Sequence, residues 1–390
     1  MATGYSLLSY GDMVLCKPRM PAFEAAMRRA ITPGCTVIEI GTGPGIFALL
    51  ACKYGAGHVY AIEPDASIEV ARQLAIDNGV ADRITFIRGL STKFTPPRKA
   101  DVIISDIRGA LPLFEHHIPT IVDARARLLA PGGTLISRSD TIHAAVVESA
   151  EEARRYHAPW AENSFGLDLR AGHRHALGSW GKAWLGPEAL LTAPRVFARI
   201  DYHSVTEENY RATIEWEVQR AGTAHGLLMW FEADLADGIG YTNAPGAPRL
   251  VYEQAFFPLQ APVFVTEGDR VTADIGATLS EGQYVWSWNT RVTLAGAAKP
   301  VARFRQSSFQ RTIFTPDTLA LLDPGYRPPR REAQAVDAFL LERFDGQRDL
   351  TTLATELQAA FPARFADAKA ARDHAMALAA RYQSRPEEKE

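Results

Sequence analysis

The sequence predicts an α/β protein in which a Rossmann-like parallel sheet precedes an antiparallel β-barrel or sandwich and a small helical C-terminal domain. From about residue 20 to 143, apolar strand-like runs alternate with helical stretches, which is typical of a parallel sheet covered by helices. From about residue 145 to 300, short β-rich runs are separated by Gly and Pro, which indicates antiparallel strands. We expect domains over residues 1–143, 144–300 and 326–390, with a linker over 301–325.

Composition limits the classes of function. The chain has 390 residues, 42 basic against 45 acidic side chains and a net charge of −3, whereas nucleic-acid binders are normally strongly basic. Its three cysteines are Cys16, Cys35 and Cys52, whose spacing fits neither a disulfide framework nor a zinc site. No apolar run approaches the roughly 20 residues that span a bilayer. We therefore predict a cytoplasmic protein without a metal, nucleic-acid or membrane partner.

A glycine-rich turn is the strongest local signal. In "VIEIGTGPGIFALL" a strand ends at Glu39 and a helix begins at about Ile46, with the turn between them formed by Gly41, Gly43 and Gly45. Glycines suit a turn that needs positive φ or close approach of a ligand to the backbone. The dinucleotide fingerprint requires a further glycine at the position of Ile46. The turn therefore departs from that fingerprint.

Two acids accompany this turn. Glu39 lies just before it, and Glu63 ends the next strand, where an acid commonly binds ribose hydroxyls. The pattern resembles the class I S-adenosylmethionine-dependent methyltransferases, and the resemblance implies S-adenosyl-L-methionine as the cofactor. A tight turn without a ligand and a solvated strand-end Glu39 are the alternative interpretations.

A second acidic pair follows a later strand. In "DVIISDIRGALPLFEHH", residues 101–117, Asp106 and Glu115 stand nine positions apart with Arg108 between them. This stretch is either a charge-balanced loop or the two sides of a cation site. It resembles the loop of the protein arginine methyltransferases that carries two glutamates nine apart, which implies catalytic roles for Asp106 and Glu115. Two carboxylates can bind a guanidinium in bidentate fashion, and the reaction then depends on positioning and electrostatics.

The resemblance extends over roughly residues 5 to 297. "GDMVLCKPRM" is similar to the family's N-terminal segment, which implies that Met13 covers the cofactor and that Arg19 pairs with its carboxylate. Leu90 is also assigned to the cofactor site. "HGLLMWFEADL" is similar to a strand of the family's barrel, and the family typically forms dimers, so we expect a homodimer.

Several positions depart from the family. Asp106 is one methylene shorter than glutamate, and a misplacement of about 1 Å can cost on the order of 100-fold in rate. Arg108 stands where the family has methionine. It neutralises one of the two acids, or binds a substrate carboxylate as would suit a free amino acid, or points to solvent.

The barrel contributes a further departure. The family's Thr-His-Trp segment corresponds to "LVY" at residues 250–252, so its histidine is absent and Tyr252 is assigned to substrate binding. His116 is assigned to substrate binding as well, with a base or a purely structural residue as the alternatives.

The C-terminal segment lies outside this resemblance. "AVDAFLLERFDGQRDLTTLATELQAAFP" is similar to the small winged-helix peptide chaperone of pyrroloquinoline quinone synthesis (PqqD-like), which implies a ribosomally made precursor peptide as a partner. A structural or dimer-supporting appendage is the alternative.

Three functional hypotheses remain. The first is an arginine N-methyltransferase that acts on a peptide or protein. The second is a methyltransferase of a small molecule such as free arginine or another amine. The third is a catalytically silent protein that binds a cofactor or a peptide.

Overall fold

The computed structural model describes residues 5–162, 165–329 and 331–382. The chain divides into two compact units, Met1–Ile313 and Phe314–Glu390. The predicted first and last domains include residues 1–4, 330 and 383–390, which lie outside the described residues. The division of the chain into four parts stays a prediction.

The N-terminal part of the first unit contains a five-stranded sheet whose strand pairs are all parallel. Its strands are β1 (Thr36–Ile40), β2 (His58–Glu63), β3 (Ile84–Arg88), β4 (Ala100–Ser105) and β5 (Leu129–Ile136). Its helices are α1 (Leu7–Leu15), α2 (Arg19–Ala30), α3 (Ile46–Lys53), α4 (Ile68–Asp77) and α5 (His117–Asp123), the last continued by a π-helical segment, Ala124–Leu128. The strand order is β3-β2-β1-β4-β5. The central strand β1 is buried along its whole length, as expected for a strand with helices on both faces.

Two antiparallel sheets follow in the same unit. Their strands are β6 (Ser139–Val147), β7 (Gly181–Ala183), β8 (Arg195–Asp201), β9 (Tyr210–Glu217), β10 (Gly222–Ala236), β11 (Ile239–Thr242), β12 (Gln254–Val265), β13 (Arg270–Ser280), β14 (Gln283–Thr293) and β15 (Ala302–Phe304). One sheet has the order β7-β12-β10-β6-β8 with β11 on β10, and the other has the order β15-β14-β13-β9. Helices α6 (Ala150–Ala161) and α7 (Arg170–Ala176) lie between β6 and β7 in the chain. The predicted boundary between residues 143 and 144 falls inside β6.

Alternating burial explains these strands. Along β14, Tyr284, Trp286, Trp288 and Thr290 are buried while the residues between them are at least partly exposed, which is the period-two pattern of a strand with one face on a core. Buried side chains of the parallel sheet and of the antiparallel sheets belong to a common hydrophobic core. The predicted fold class of this unit is confirmed.

The second unit is described by itself. Its helices are α8 (Pro316–Leu321), α9 (Glu332–Leu341), α10 (Leu350–Ala360) and α11 (Ala368–Tyr382). Asp349 caps α10, since its Oδ1 accepts from the backbone N–H of Thr352 at 2.7 Å. Val336, Leu340 and Leu357 form part of a small core. Residues 314–329 and 331–382 contain no strand, so peptide binding by strand addition has no sheet edge there, and the PqqD-like assignment stays a prediction.

No helix within the described ranges is both long and apolar enough to cross a membrane.

Candidate functional site

The glycine turn between β1 and α3 is closely packed. Gly41, Gly43 and Gly45 all have positive φ, at 76°, 52° and 84°. A Cβ on Gly41 would lie 2.5 Å from Cγ2 of Ile107, and one on Gly43 would lie 2.6 Å from the ring of Tyr10. Both conformation and space therefore exclude larger residues here. The turn is built as predicted, and it lies against the loop that follows β4.

Two acids support this turn. Glu39 on β1 is only 2% exposed and accepts a hydrogen bond from Oγ1 of Thr42 at 2.5 Å, and burial raises its pKa to about 8. Glu63 ends β2 and accepts from the backbone N–H groups of Gly43 and Asp65, both at 2.9 Å. The alternative of a solvated Glu39 is wrong, because the carboxyl group is enclosed.

A cavity of about 390 Å³ opens beside the turn. Nine of the residues that the sequence assigns to the site line it: Met13, Arg19, Glu39, Gly41, Glu63, Asp106, Arg108, Glu115 and Tyr252. Gly43 and Gly45 belong to the turn itself without lining the cavity. Segments from α1, α2, β1, β2, the loop after β4 and the barrel therefore meet at one site.

Two further assigned residues, which lie outside the glycine turn, do not line the cavity either. Leu90 is 56% exposed and precedes a short 3-10 turn that begins at Ser91. His116 is exposed, and its Nε2 faces Gly282 in the turn after β13, where a Cβ would lie 2.4 Å away. The cavity therefore does not support the assignment of Leu90 to the cofactor or of His116 to the substrate, and both stay predictions.

Asp106 is held in a buried ion pair. Its Oδ2 accepts from Nε of Arg19 at 2.6 Å and lies 2.5 Å from Nη2 of the same side chain. The hydroxyl of Tyr252 donates to this oxygen at 2.5 Å. Burial alone would raise the pKa of Asp106, but Arg19, Arg108 and the Tyr252 hydroxyl outweigh it and hold the pKa below its ordinary value. Asp106 is therefore an ionised partner of protein groups, and Tyr252 lies against it.

Arg108 points into the protein. Its side chain is fully buried, and its guanidinium donates to the hydroxyls of Tyr241 at 2.8 Å and Ser137 at 2.5 Å. It lies 3.4 Å from Asp140 and 3.7 Å from Asp106. The hypothesis that it points to solvent is wrong, since the side chain is fully buried. The hypothesis that it binds a substrate carboxylate stays a prediction, which these interior contacts disfavour. Arg108 neutralises Asp106 and Asp140 instead.

Glu115 differs from Asp106 in its exposure and in its contacts. It is exposed at the edge of the cavity, and within the described part of the chain it forms no hydrogen bond or ion pair. Its φ of 43° is uncommon for a residue with a side chain and often marks a functional position. The two acids nine positions apart therefore present one free carboxylate and one that is already paired.

An outer groove of about 920 Å³ adjoins the cavity. Four residues line both spaces: Tyr5, Met13, Lys182 and Val251. Sequence reasoning did not find Tyr5, Lys182, Tyr241 or Asp140. No local pattern distinguishes these residues, because each reaches the site only through the folding of the barrel or of the segment that leads into α1.

Two family profiles match the chain. The profile of the arginine methyltransferase oligomerization subdomain matches residues 138–289, and that of the ribosomal protein L11 methyltransferase matches residues 23–155. Together they span the parallel sheet and most of the antiparallel strands.

Curated relatives agree with these profiles. The chain is 31% identical to a probable histone-arginine methyltransferase 1.4 of Arabidopsis thaliana over 310 residues, which cover 74% of this chain and 57% of the relative. It is 29% identical to an arginine N(omega)-methyltransferase of Streptomyces achromogenes subsp. streptozoticus, covering 66% of this chain and 73% of the relative. The chain spans about half the length of this and the other plant histone-arginine methyltransferases that it matches.

Solved structures show the same fold. The PRMT1 enzyme-prozyme heterotetrameric complex with AdoHcy from Trypanosoma brucei superposes with a TM-score of 0.70 at 21% identity, covering 78% of this chain and 98% of that one. Protein arginine methyltransferase 10 of Arabidopsis thaliana gives 0.69 at 22% identity, with 77% and 97% covered. At these identities the likeness concerns the fold of the first unit.

Proposed function

Because the chain is a protein arginine methyltransferase-like class I methyltransferase in sequence and fold, we propose that it transfers a methyl group from S-adenosyl-L-methionine to a guanidinium nitrogen of arginine in a peptide or protein. The observation that carries the proposal is the free carboxylate of Glu115 at the cavity that the glycine turn, Glu39 and Glu63 also line. The other acid after β4, Asp106, supports the site through Arg19.

The cavity fits the cofactor. Its volume lies within the roughly 300–1,000 Å³ that small-molecule sites occupy. Met13, Arg19 and Glu63 line it, and Glu63 retains acceptor lone pairs for ribose hydroxyls although it also accepts two backbone N–H groups. Glu39 lies beneath the turn, where a group with a pKa of about 8 gains ionisation when a cation approaches. When bound, the cofactor supplies an electrophilic methyl group on a sulfonium.

Glu115 would bind the acceptor guanidinium. Its carboxylate can accept two parallel N–H groups of the guanidinium fork, which holds positive charge on those nitrogens. The remaining nitrogen keeps more electron density and is directed at the methyl group. A nitrogen–carbon bond forms as the sulfur–carbon bond breaks, and one proton leaves the methylated nitrogen to a carboxylate or to water. Most of the rate enhancement then comes from positioning and electrostatics.

Free arginine is the second candidate acceptor. The chain covers a larger share of the arginine N(omega)-methyltransferase of Streptomyces than of the plant histone-arginine methyltransferases, and the name of the former specifies arginine rather than protein arginine. A precursor peptide as acceptor and a homodimer through residues 138–289 are further parts of the proposal, supported by the predicted C-terminal resemblance and by the oligomerization-subdomain profile.

The experiment is transfer of a tritiated methyl group to a panel of arginine peptides, a lysate and free arginine, with wild type and Glu115→Gln compared. We expect labelling by the wild type and a loss of at least about 100-fold in the variant. Glu267→Gln is the matched control, because Glu267 is an exposed acid in the turn between β12 and β13. Equal labelling by wild type and Glu115→Gln contradicts the proposed role. Cofactor binding without transfer to any acceptor favours the silent binding protein.

A further inference from the structure

The charged side chains of the cavity divide into compensated and free groups. Eight of them line it: Arg19, Glu39, Glu63, Asp65, Asp106, Arg108, Glu115 and Lys182. The three central ones compensate one another, since Asp106 lies within 2.5 Å of Arg19 and 3.7 Å of Arg108. Asp140, which lies 3.4 Å from Arg108 behind the cavity wall, supplies the second negative charge, so the two arginines and the two aspartates balance.

Three acids near the glycine turn also accept hydrogen bonds from protein groups. Glu39 accepts from Thr42, and its pKa of about 8 keeps it largely protonated at neutral pH. Glu63 accepts from two backbone N–H groups. Asp65 accepts from the backbone N–H of Ser67 at 2.9 Å. These groups belong to the cofactor side of the cavity.

Glu115 and Lys182 are the two charged groups that remain. Neither side chain forms a hydrogen bond or ion pair with any described residue. The backbone of Lys182 is nevertheless held in position. It lies in β7, opposite Ala255 of β12, and its carbonyl accepts from Nη1 of Arg155 at 3.1 Å. The site thus presents one free carboxylate from the loop after β4 and one free ammonium from an edge strand of the barrel.

We propose that Lys182 binds the α-carboxylate of the acceptor, so that the preferred acceptor is an arginine whose own carboxylate is free. Arginine carries a guanidinium at one end and a carboxylate at the other, which matches a cavity with one free carboxylate and one free ammonium. This inference rests on the proposed transfer to arginine and narrows its substrate to free arginine or an arginine at the C-terminus of a peptide. Arg108, the sequence-based choice for this role, is less suited to it, because its side chain is fully buried and its Nη1 and Nη2 donate to Tyr241 and Ser137.

The position of Lys182 supports this role. It lines both the cavity and the outer groove, so a carboxylate bound there lies where the two spaces meet, while the guanidinium is bound by Glu115 at the same cavity. An internal arginine of a peptide has an amide at that point, which offers no charge to the ammonium. A charge-assisted contact of this kind corresponds to on the order of 10- to 100-fold in affinity.

The test uses the full chain and four acceptors: L-arginine, L-arginine amide, a peptide with an internal arginine, and the same peptide ending in arginine with a free carboxylate. Wild type is expected to show a kcat/KM for L-arginine that exceeds that for its amide by about 10- to 100-fold. Lys182→Met is expected to abolish this difference by raising KM for L-arginine more than KM for the amide. Lys53→Met is the matched control, because Lys53 is an exposed lysine on α3.

Each other outcome is informative. Equal kcat/KM for L-arginine and its amide in the wild type overturns the inference, as does an unchanged difference in Lys182→Met. Weaker calorimetric binding of S-adenosylmethionine by Lys182→Met also overturns it, since the lysine then serves the cofactor. Preferred methylation of the internal arginine leaves the proposed function standing without this inference. Cofactor binding with no transfer to any of the four acceptors would contradict both the proposed function and the role of Lys182.

Discussion

Arg19 at the start of α2 and Asp106 after β4 form an ion pair of 2.5 Å, with 8% and 7% of their side chains exposed. The Tyr252 hydroxyl donates to the same carboxylate oxygen. This contact joins three segments of the chain, since it connects the N-terminal helices, the parallel sheet and the barrel. Asp106 therefore has a structural partner before any substrate arrives, and it positions Arg19 at the cavity.

Asp106→Asn is expected to destabilise the protein. The change leaves the buried Arg19 guanidinium without a charged partner at that distance, and removal of one member of a buried pair typically costs about 3–5 kcal/mol. The free energy of unfolding from urea titration measures this effect, and Asp101→Asn serves as a control at the more exposed start of β4. An unfolding free energy equal to that of the wild type would show that the pair contributes nothing.

Glu115→Gln, unlike Asp106→Asn, is expected to lower turnover without lowering stability. Its carboxylate is exposed and has no partner among the described residues, so the free energy of unfolding should change by less than about 0.5 kcal/mol. Turnover should fall on the order of 100-fold or more, as when one electrostatic contact to the reacting group is lost. Denaturation and methyl transfer measured on the same preparation check both statements. A stability loss similar to that of Asp106→Asn would mean that both carboxylates stabilise the fold.

Much of the fold and part of the site follow from local sequence. The run before Glu39, the three glycines of the turn and the strand that ends at Glu63 are contiguous patterns, and the structure has them where they are predicted. The alternation of apolar and polar residues likewise predicts the antiparallel strands. Such features depend on neighbours within a few positions, so they can be predicted from the local sequence.

The direction of a side chain is harder to predict. Asp106 and Arg108 are two positions apart and share an environment, yet whether Arg108 faces Glu115 or the interior depends on Asp140 and Tyr241, which belong to the barrel. Lys182 could not be found either, because its place at the cavity depends on the pairing of β7 with β12. Contacts between distant segments therefore decided the roles that local motifs left open.

Arg108→Met is expected to destabilise the barrel junction. Removing the guanidinium leaves Asp140 buried without its cation, and the hydroxyls of Ser137 and Tyr241 lose a donor, which together correspond to about 3–5 kcal/mol. The second change Asp140→Asn should recover part of this loss, because the unpaired charge is then absent. A double-mutant cycle on the unfolding free energy measures the coupling. Strictly additive effects would show that the two residues do not interact.

Gly41→Ala is expected to reduce cofactor binding. The residue has a φ of 76°, and its new Cβ would lie 2.5 Å from the Ile107 side chain, so the loop after β4 must move away from the turn. Calorimetry with S-adenosylmethionine should show at least about a tenfold weaker Kd, given strain of about 1–3 kcal/mol. Gly132→Ala is the control, since it also has positive φ but nothing lies within 4 Å of its Cβ. Equal Kd values for the two variants would exclude a specific role for the turn.

Glu39 should make the stability of the ligand-free protein depend on pH. Burial raises its pKa from an ordinary value of 4.5 to about 8, so between these values the folded state keeps a proton that the unfolded chain has released. Stability linked to Glu39 is therefore complete below about pH 4.5 and declines as the pH rises toward 8, by at most about 5 kcal/mol.

Glu39→Gln should remove this component, because the amide does not titrate. Asp140, whose pKa burial raises to about 6, acts in the same direction over a lower range and remains in both proteins. The difference between the unfolding free energies of variant and wild type should thus grow in favour of the variant from pH 5 to pH 8. Urea titrations at constant ionic strength measure it, and a difference independent of pH would mean that Glu39 titrates normally in the folded protein.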